Sequence, residues 1–522
     1  MELTSKNTWE NSLSDADFLS ELKTTILPPY INSCRWFAGK ARQQEAFDFA
    51  DVLILPIENS VAFLIIISAK YQDGEIENYL LPLSFVASNN PNAGEILPKG
   101  IISVAYFNQV RGLLVDALYD ERFQQALFKH LVNEEAVKQT AGSLGFERGK
   151  GLAGEDINAP ISSRVLPVDS SNSALIFGDK YFMKLYRKLF VETNPEVDMV
   201  SFLTQHSNFA HIPAFAGSVI WKREGIADIT LGMMQRMVQN QQDSWGLTGD
   251  YLNDFMKGVP HRQFAINEDV FESVALLGKR TGEMHLSLYA PNADEHFAPE
   301  NLTDEYRQFL HKRFTDLLNR RYNLLIDNYL KLDVPSQKLA WIFMEAREMI
   351  EEFLEDLLTK PLDSLRIRIH GDYHLGQVLA TGNDYIIIDF EGEPESSISE
   401  RKIKHSPLKD VAGMIRSYHY AVCAKLFNSE ETKDTPPEKL QIVSDRWFKL
   451  IKDTYLEAYF GTFGYPHPLF KNNNEINFLL LIYLLEKAVY ELGYEISYRP
   501  DWVKIPLKGI VDVVREIEKL KV

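Results

Sequence analysis

Arg368-Ile-His370-Gly-Asp372-Tyr-His374-Leu-Gly-Gln377, followed after a turn by Ile386-Ile-Ile-Asp389-Phe-Glu391, is the stretch on which the reading of this chain turns. Its two acids, Asp372 and Asp389, stand in different settings. The first sits in a polar loop, and the second ends a short apolar run that reads as a buried strand, whose end fixes a carboxylate rigidly. Phosphoryl transfer needs one carboxylate to accept or orient the attacking hydroxyl proton, and an acid with an amide oxygen to hold magnesium against the phosphates. Asp372 is the candidate base, and Gln377 and Asp389 are the candidate metal ligands. His370, His374 and Glu391 flank these acids as candidate substrate contacts. The two histidines, four apart, also have the spacing of a zinc pair. Gly371 and the apolar residues before it point to a loop rather than the helix that would align both rings, and no third ligand is evident.

A kinase reading requires a lysine on an upstream strand to meet the nucleotide phosphates, with a small-residue turn before it. Both are present: Lys184 lies in Tyr181-Phe-Met-Lys-Leu-Tyr, and Asp169-Ser-Ser-Asn-Ser173 forms a polar turn, with Ser171, Asn172 and Ser173 as nucleotide contacts. A helix starting near Asn194-Pro195 offers Glu196 or Asp198 as the acidic partner of Lys184, and the sequence does not choose between them. Met233 to Val238 reads as the hinge over the adenine, with Gln235 and Met237 as its contacts, although an ordinary buried strand reads the same way. Gly145, Gly149, Lys150 and Gly151 lack the glycine spacing and the Ser or Thr of a phosphate-binding Walker loop, so Gly142 to Gly154 reads as a flexible linker.

Further out, apolar stretches at Val52–Leu55, Val61–Ile67 and Asn78–Phe85, with Gln72-Asp73-Gly74 as a turn, predict an antiparallel β domain. Val115–Val132 has helical spacing, and a second β region follows to about Val238. Beyond Asp250, periodic segments at Val270–Leu288, Asp304–Leu330, Leu339–Leu358, Lys439–Phe460, Ile476–Tyr494 and Leu507–Lys521 predict helices around one β island, Ile386–Phe390. The 522 residues carry 55 Lys+Arg against 73 Asp+Glu, a net charge of −18 that repels nucleic acid and anionic membrane. No apolar run approaches a bilayer span, Met1–Phe18 lacks the pattern of a signal peptide, and two cysteines fit a reducing compartment. The expectation is a cytoplasmic protein with a small-molecule partner.

With these residues aligned, the chain resembles the maltokinases, bacterial sugar kinases of the aminoglycoside-phosphotransferase-like group. The likeness extends over most of the chain. It rests on Arg35-Trp-Phe-Ala-Gly-Lys40, with Ala38 where Gly is common, and on Ser171 through Lys184. Leu277-Gly-Lys-Arg-Thr-Gly-Glu-Met-His285, His370 to Gln377, Asp389-Phe-Glu-Gly-Glu-Pro394 and Ser406-Pro-Leu-Lys-Asp-Val-Ala-Gly-Met-Ile-Arg416 carry it further, as does Leu485-Glu-Lys487-Ala-Val-Tyr490-Glu-Leu-Gly-Tyr494-Glu495 with Arg499-Pro-Asp-Trp502.

The resemblance implies an α+β, bilobal protein-kinase-like fold: a β-rich N-terminal cap over residues 1–98, a β-rich N-lobe with linker over 99–238, and a helical C-lobe over 239–522. It also implies ATP- and Mg²⁺-dependent phosphorylation of maltose at its anomeric hydroxyl, giving maltose 1-phosphate for glycogen synthesis. In a chain of this length it implies a free-standing form, with a separate trehalose synthase as a candidate partner. Lys487, Tyr490 and Tyr494 would then hold the sugar, one turn apart on a helix whose spacing an ordinary ion-paired face would equally explain. Two other readings stand beside it: a related kinase acting on glucosamine or an aminoglycoside, and a catalytically silent kinase-like regulator. The intact set Lys184, Asp372, Gln377 and Asp389 speaks against the regulator.

Overall fold

The computed structural model describes residues 2–154, 161–166, 171–261, 264–428, 432, 435–464 and 466–521. The chain divides into two compact units, residues 1–238 and 239–522. No helix among the described residues is long and apolar enough to cross a membrane.

Among the described residues the first unit holds two seven-stranded sheets. In one, long antiparallel strands Gln44–Ile57, Ser60–Tyr71 and Ile76–Ala87 are joined by tight turns at which Asn59 and Gly74 adopt positive φ. Its apolar face packs on the N-terminal helices through Trp9, Phe18, Leu22, Phe63, Ile65 and Phe107. Ile101–Phe107 and Val110–Asp116 complete this same sheet, so the expected boundary at residue 98 falls inside the cap rather than after it. Val115 and Asp116 therefore end a strand, and the helix predicted from Val115 starts only at Glu121, capped by the Asp120 carboxylate accepting from Arg122 N.

The second sheet runs in the order Val137–Lys138, Ser143–Arg148, Phe215–Arg223, Ile226–Arg236, Tyr181–Leu185, Ser173–Phe177, Ser163–Leu166. The glycine-rich segment expected as a flexible linker is thus partly a strand, Ser143–Arg148. Its glycines serve close approach, since a Cβ at Gly149 or Gly151 would stand 2.3 or 2.7 Å from the Phe215 carbonyl oxygen. Asp169 and Ser170 of the predicted polar turn lie outside the described residues.

The second unit is mostly helical. The predicted helices are present, except that Leu339–Leu358 is covered by two, Val334–Glu345 and Arg347–Thr359, which meet at Ala346. Ser244–Gly258 and Leu408–Asn428 are helices that periodicity did not reveal. The β island is shorter than expected. Tyr385–Ile387 pairs with Val378–Ala380, which pairs with Gln242–Asp243. Asp389 consequently lies two residues past the strand, in left-handed backbone at φ 67°, and is not the strand-end residue the sequence suggested.

Candidate active site

In the first unit, Lys184 sits on Tyr181–Leu185 between Ala174 and Met233 of the flanking strands. Its Nζ reaches Glu196 Oε1 and Oε2 at 2.8 and 2.9 Å. Glu196, rather than Asp198, is therefore the acid partner left open by the sequence. It stands in the first turn of helix Pro195–His206, fully buried, where the Asn194 side chain caps its N–H and Tyr186 donates to Oε2 at 3.0 Å. A buried acid tolerates this position because the lysine and the helix N-terminus both favour its charge.

Upstream of Lys184, the turn residues are held by Arg187, whose Nε donates to Ser173 Oγ at 2.7 Å and whose backbone N–H donates to Asn172 Oδ1 at 3.4 Å. The same guanidinium pairs with buried Asp116 at 2.6 Å and donates to the Leu80 carbonyl, which ties the turn to the first sheet. Ser171 is exposed beside them. Gln235 is buried opposite Phe182 and Phe215, and Met237 N donates to Lys180 O at 2.8 Å.

The second unit builds its loop around Asp410, which the sequence reading quoted within a segment but did not single out. Its carboxylate accepts from His370 N at 2.8 Å and Gly371 N at 2.9 Å, and lies 3.1 Å from His285 Nε2, whose other nitrogen meets Tyr459 OH. Burial pushes Asp410 up, and these partners outweigh it and hold it below the ordinary carboxylate value. Gly371 is at φ 88°, and a Cβ there would meet Gly392 Cα at 3.2 Å, so only glycine lets the two loops close on each other.

On this frame Asp372 faces Lys487, 3.0 Å from Oδ1 to Nζ. Burial pushes Asp372 up, but Lys487, His374 and His370 together outweigh it, and the carboxyl is held below its usual range. Burial pushes Lys487 down, and Asp372, Glu393 and Glu491 together outweigh it, so its ammonium is held in the charged form. The Lys487 ammonium also lies 5.4 Å from the centre of the Tyr490 ring. Tyr494 is a turn further out, 44% exposed, packing on Tyr498. Glu491, beside Tyr490, is committed to Arg416.

His370 is buried, with Nε2 2.9 Å from the Ile388 carbonyl, and so braces the two acid-bearing segments. His374 accepts from Gly376 N through Nδ1 and lies 4.0 Å from Asp372 Oδ2. Burial keeps its imidazole below the ordinary value, hence neutral near pH 7.

Gln377 Nε2 donates to Asp389 Oδ2 at 2.9 Å, which leaves the amide oxygen available. Asp389 and Glu391 bring carboxylate oxygens within 4.8 Å of each other. Two carboxylates and an amide oxygen form a hard-oxygen donor set, so these residues fit a magnesium ion. Glu391, expected at the substrate, thus stands beside the candidate metal ligand Asp389.

No family model matches the chain. The glucosamine kinase of Streptacidiphilus jiangxiensis is 23% identical over 364 residues, covering 69% of this chain and 75% of that one. The glucosamine kinase of Mycolicibacterium smegmatis is 30% identical over 147 residues, covering 26% of this chain and 32% of that protein. A solved glucosamine kinase holding glucosamine, ADP and inorganic phosphate superposes with a TM-score of 0.68 at 17% identity, covering 97% of this chain and 99% of that one. The chain has the α+β, kinase-like fold of the glucosamine kinases.

Proposed function

We propose that this protein is an ATP- and Mg²⁺-dependent sugar kinase that phosphorylates maltose at its anomeric hydroxyl. The observation that carries the reading is Asp372 held ionised 3.0 Å from Lys487, on a loop fixed by Asp410 and beside the Gln377–Asp389 pair. In this reading Asp372 accepts the hydroxyl proton as the sugar oxygen attacks the γ-phosphorus, and the bond to the β-phosphate oxygen breaks to release ADP. Lys487 orients the carboxylate and donates to the acceptor oxygen. Lys184, fixed by Glu196, meets the nucleotide phosphates. Gln377, Asp389 and Glu391 hold magnesium, which when bound neutralises phosphate charge. A separate trehalose synthase belongs to the same reading as a partner.

Support for a neutral sugar comes from Lys487: a cation at the acceptor site disfavours an aminosugar, and Tyr490 beside it offers an aromatic platform. The relatives favour a second reading, in which glucosamine is the acceptor. Phosphorylation of a sugar panel with ATP and magnesium separates them. Turnover of maltose with glucosamine and kanamycin poor supports the first; preferred turnover of glucosamine replaces maltose and leaves the kinase reading in place.

A further inference from the structure

Next to Gly371 the second unit encloses a cavity of about 30 Å³, lined by Arg313, Glu393, Lys409, Glu486 and Tyr490 among others. Its volume admits a group or two of water size, not a sugar ring. Arg313 Nη2 pairs with Glu393 Oε2 at 3.0 Å. Glu486 is 5% exposed, yet its Oε1 makes no hydrogen bond, and Arg313 Nη2 is 3.6 Å away from it. Lys409, half-buried, has no ion pair or side-chain hydrogen bond among the described residues, Glu486 included. The cavity therefore presents a buried acceptor short of a donor, Glu486 Oε1, beside the half-buried Lys409.

A buried carboxylate oxygen without a donor is costly. A hydroxyl is the small group that donates and accepts at once. Arg313 and Lys409 stand against Glu393 and Glu486 around the cavity, and Lys487 lines it as well, so an added ammonium would stand unbalanced. Resting on the maltose-kinase reading above, we infer that this cavity anchors a non-reacting hydroxyl or hydroxymethyl arm of a neutral sugar acceptor, which donates to Glu486 and accepts from Lys409. The ring itself stays outside, against Tyr490 and Lys487, with its reacting hydroxyl at Asp372.

The test uses the full chain with maltose, a set of singly deoxygenated maltoses, and the variants Glu486→Gln and Lys409→Met. Each variant should raise the maltose KM about tenfold, the scale of one hydrogen bond, with the ATP KM unchanged. Calorimetric binding of maltose without nucleotide should weaken by the same factor. One deoxymaltose should lose about tenfold in kcat/KM with the wild type and no further with Glu486→Gln; its wild-type arm stands even where a variant does not fold. If maltose is phosphorylated and neither the variants nor any deoxymaltose loses affinity, the cavity holds only water, and the inference falls while the kinase reading survives. If the wild type prefers glucosamine to maltose, both the maltose acceptor and the neutral-arm inference are overturned.

Discussion

Asp372 and Lys487 act as a pair, because the ionisation of one depends on the other. Asp372→Asn keeps the shape but accepts no proton, so turnover should fall by about 10²–10⁴ while nucleotide binding, measured by fluorescence titration, is largely retained. Turnover near wild type would remove Asp372 from the chemistry. The pH dependence has a definite sign. The folded-state value of Asp372 is depressed, so its ionised form persists down to a pH below the ordinary aspartate value near 4 and is lost only as pH falls through the depressed value. In Lys487→Met the burial that pushes the carboxyl up is no longer opposed by its main counter-charge. The acid limb of the kcat/KM profile should then move to higher pH. An unmoved limb would show that the lysine does not set this ionisation. The loop chemistry around Asp372 was legible because residue types at fixed spacing announce it. Its pairing with Lys487, 115 positions away, was not legible, since family likeness gave that lysine only as a sugar contact, and the Asp410 anchor had no local signal at all: a lone acid opening an apolar helix resembles any other.

Elements were legible where one face is polar. Glu268–Leu288 and Pro437–Gly461 alternate buried and exposed residues at helical spacing, whereas Val411 through His419 is buried on every side, which erases the 3.6-residue pattern and hid the helix that carries Asp410. Glycines misled in the opposite way. At Gly149 and Gly151 they permit strand contact against Phe215, yet in sequence they resemble a linker. Arg187 is the element-scale junction: 1% exposed, it joins the strand Lys188–Leu189 region, the Asp116 strand end and the Asn172–Ser173 turn. Arg187→Met would leave the Asp116 carboxylate buried without its partner, a loss of about 3–5 kcal/mol. Denaturant unfolding measures it. Adding Asp116→Asn should recover part of the loss, since the uncompensated charge is then gone; a double variant as unstable as the single one would place the cost in packing instead.

At the scale of the whole molecule, the order of β-rich and helical segments was legible and family likeness supplied the kinase-like class, while the extent of the cap was not, because it depends on Ile101–Phe107 running parallel to Glu2–Ser5 across a hundred residues. Pairing at that separation has no local signature. Net charge, by contrast, is readable directly and makes a prediction independent of any contact. The chain carries −18, so a cationic acceptor approaches through an attractive long-range field even though Lys487 opposes it at close range. Salt screens exposed charges beyond about 10 Å at 0.1 M, and it weakens the distant attraction more than the buried repulsion. With MgATP saturating, raising KCl from about 20 to about 300 mM should lower kcat/KM for glucosamine several-fold and leave that for maltose, which has no charge to steer, nearly flat. The ratio of the two constants is the quantity to follow, because any effect of salt on nucleotide binding or on the enzyme itself cancels in it. A maltose-to-glucosamine ratio that rises with salt supports the balance of fields described here. A ratio that falls would mean that repulsion from Lys487 dominates along the whole approach, and a constant ratio would mean that the net charge plays no part in choosing the acceptor.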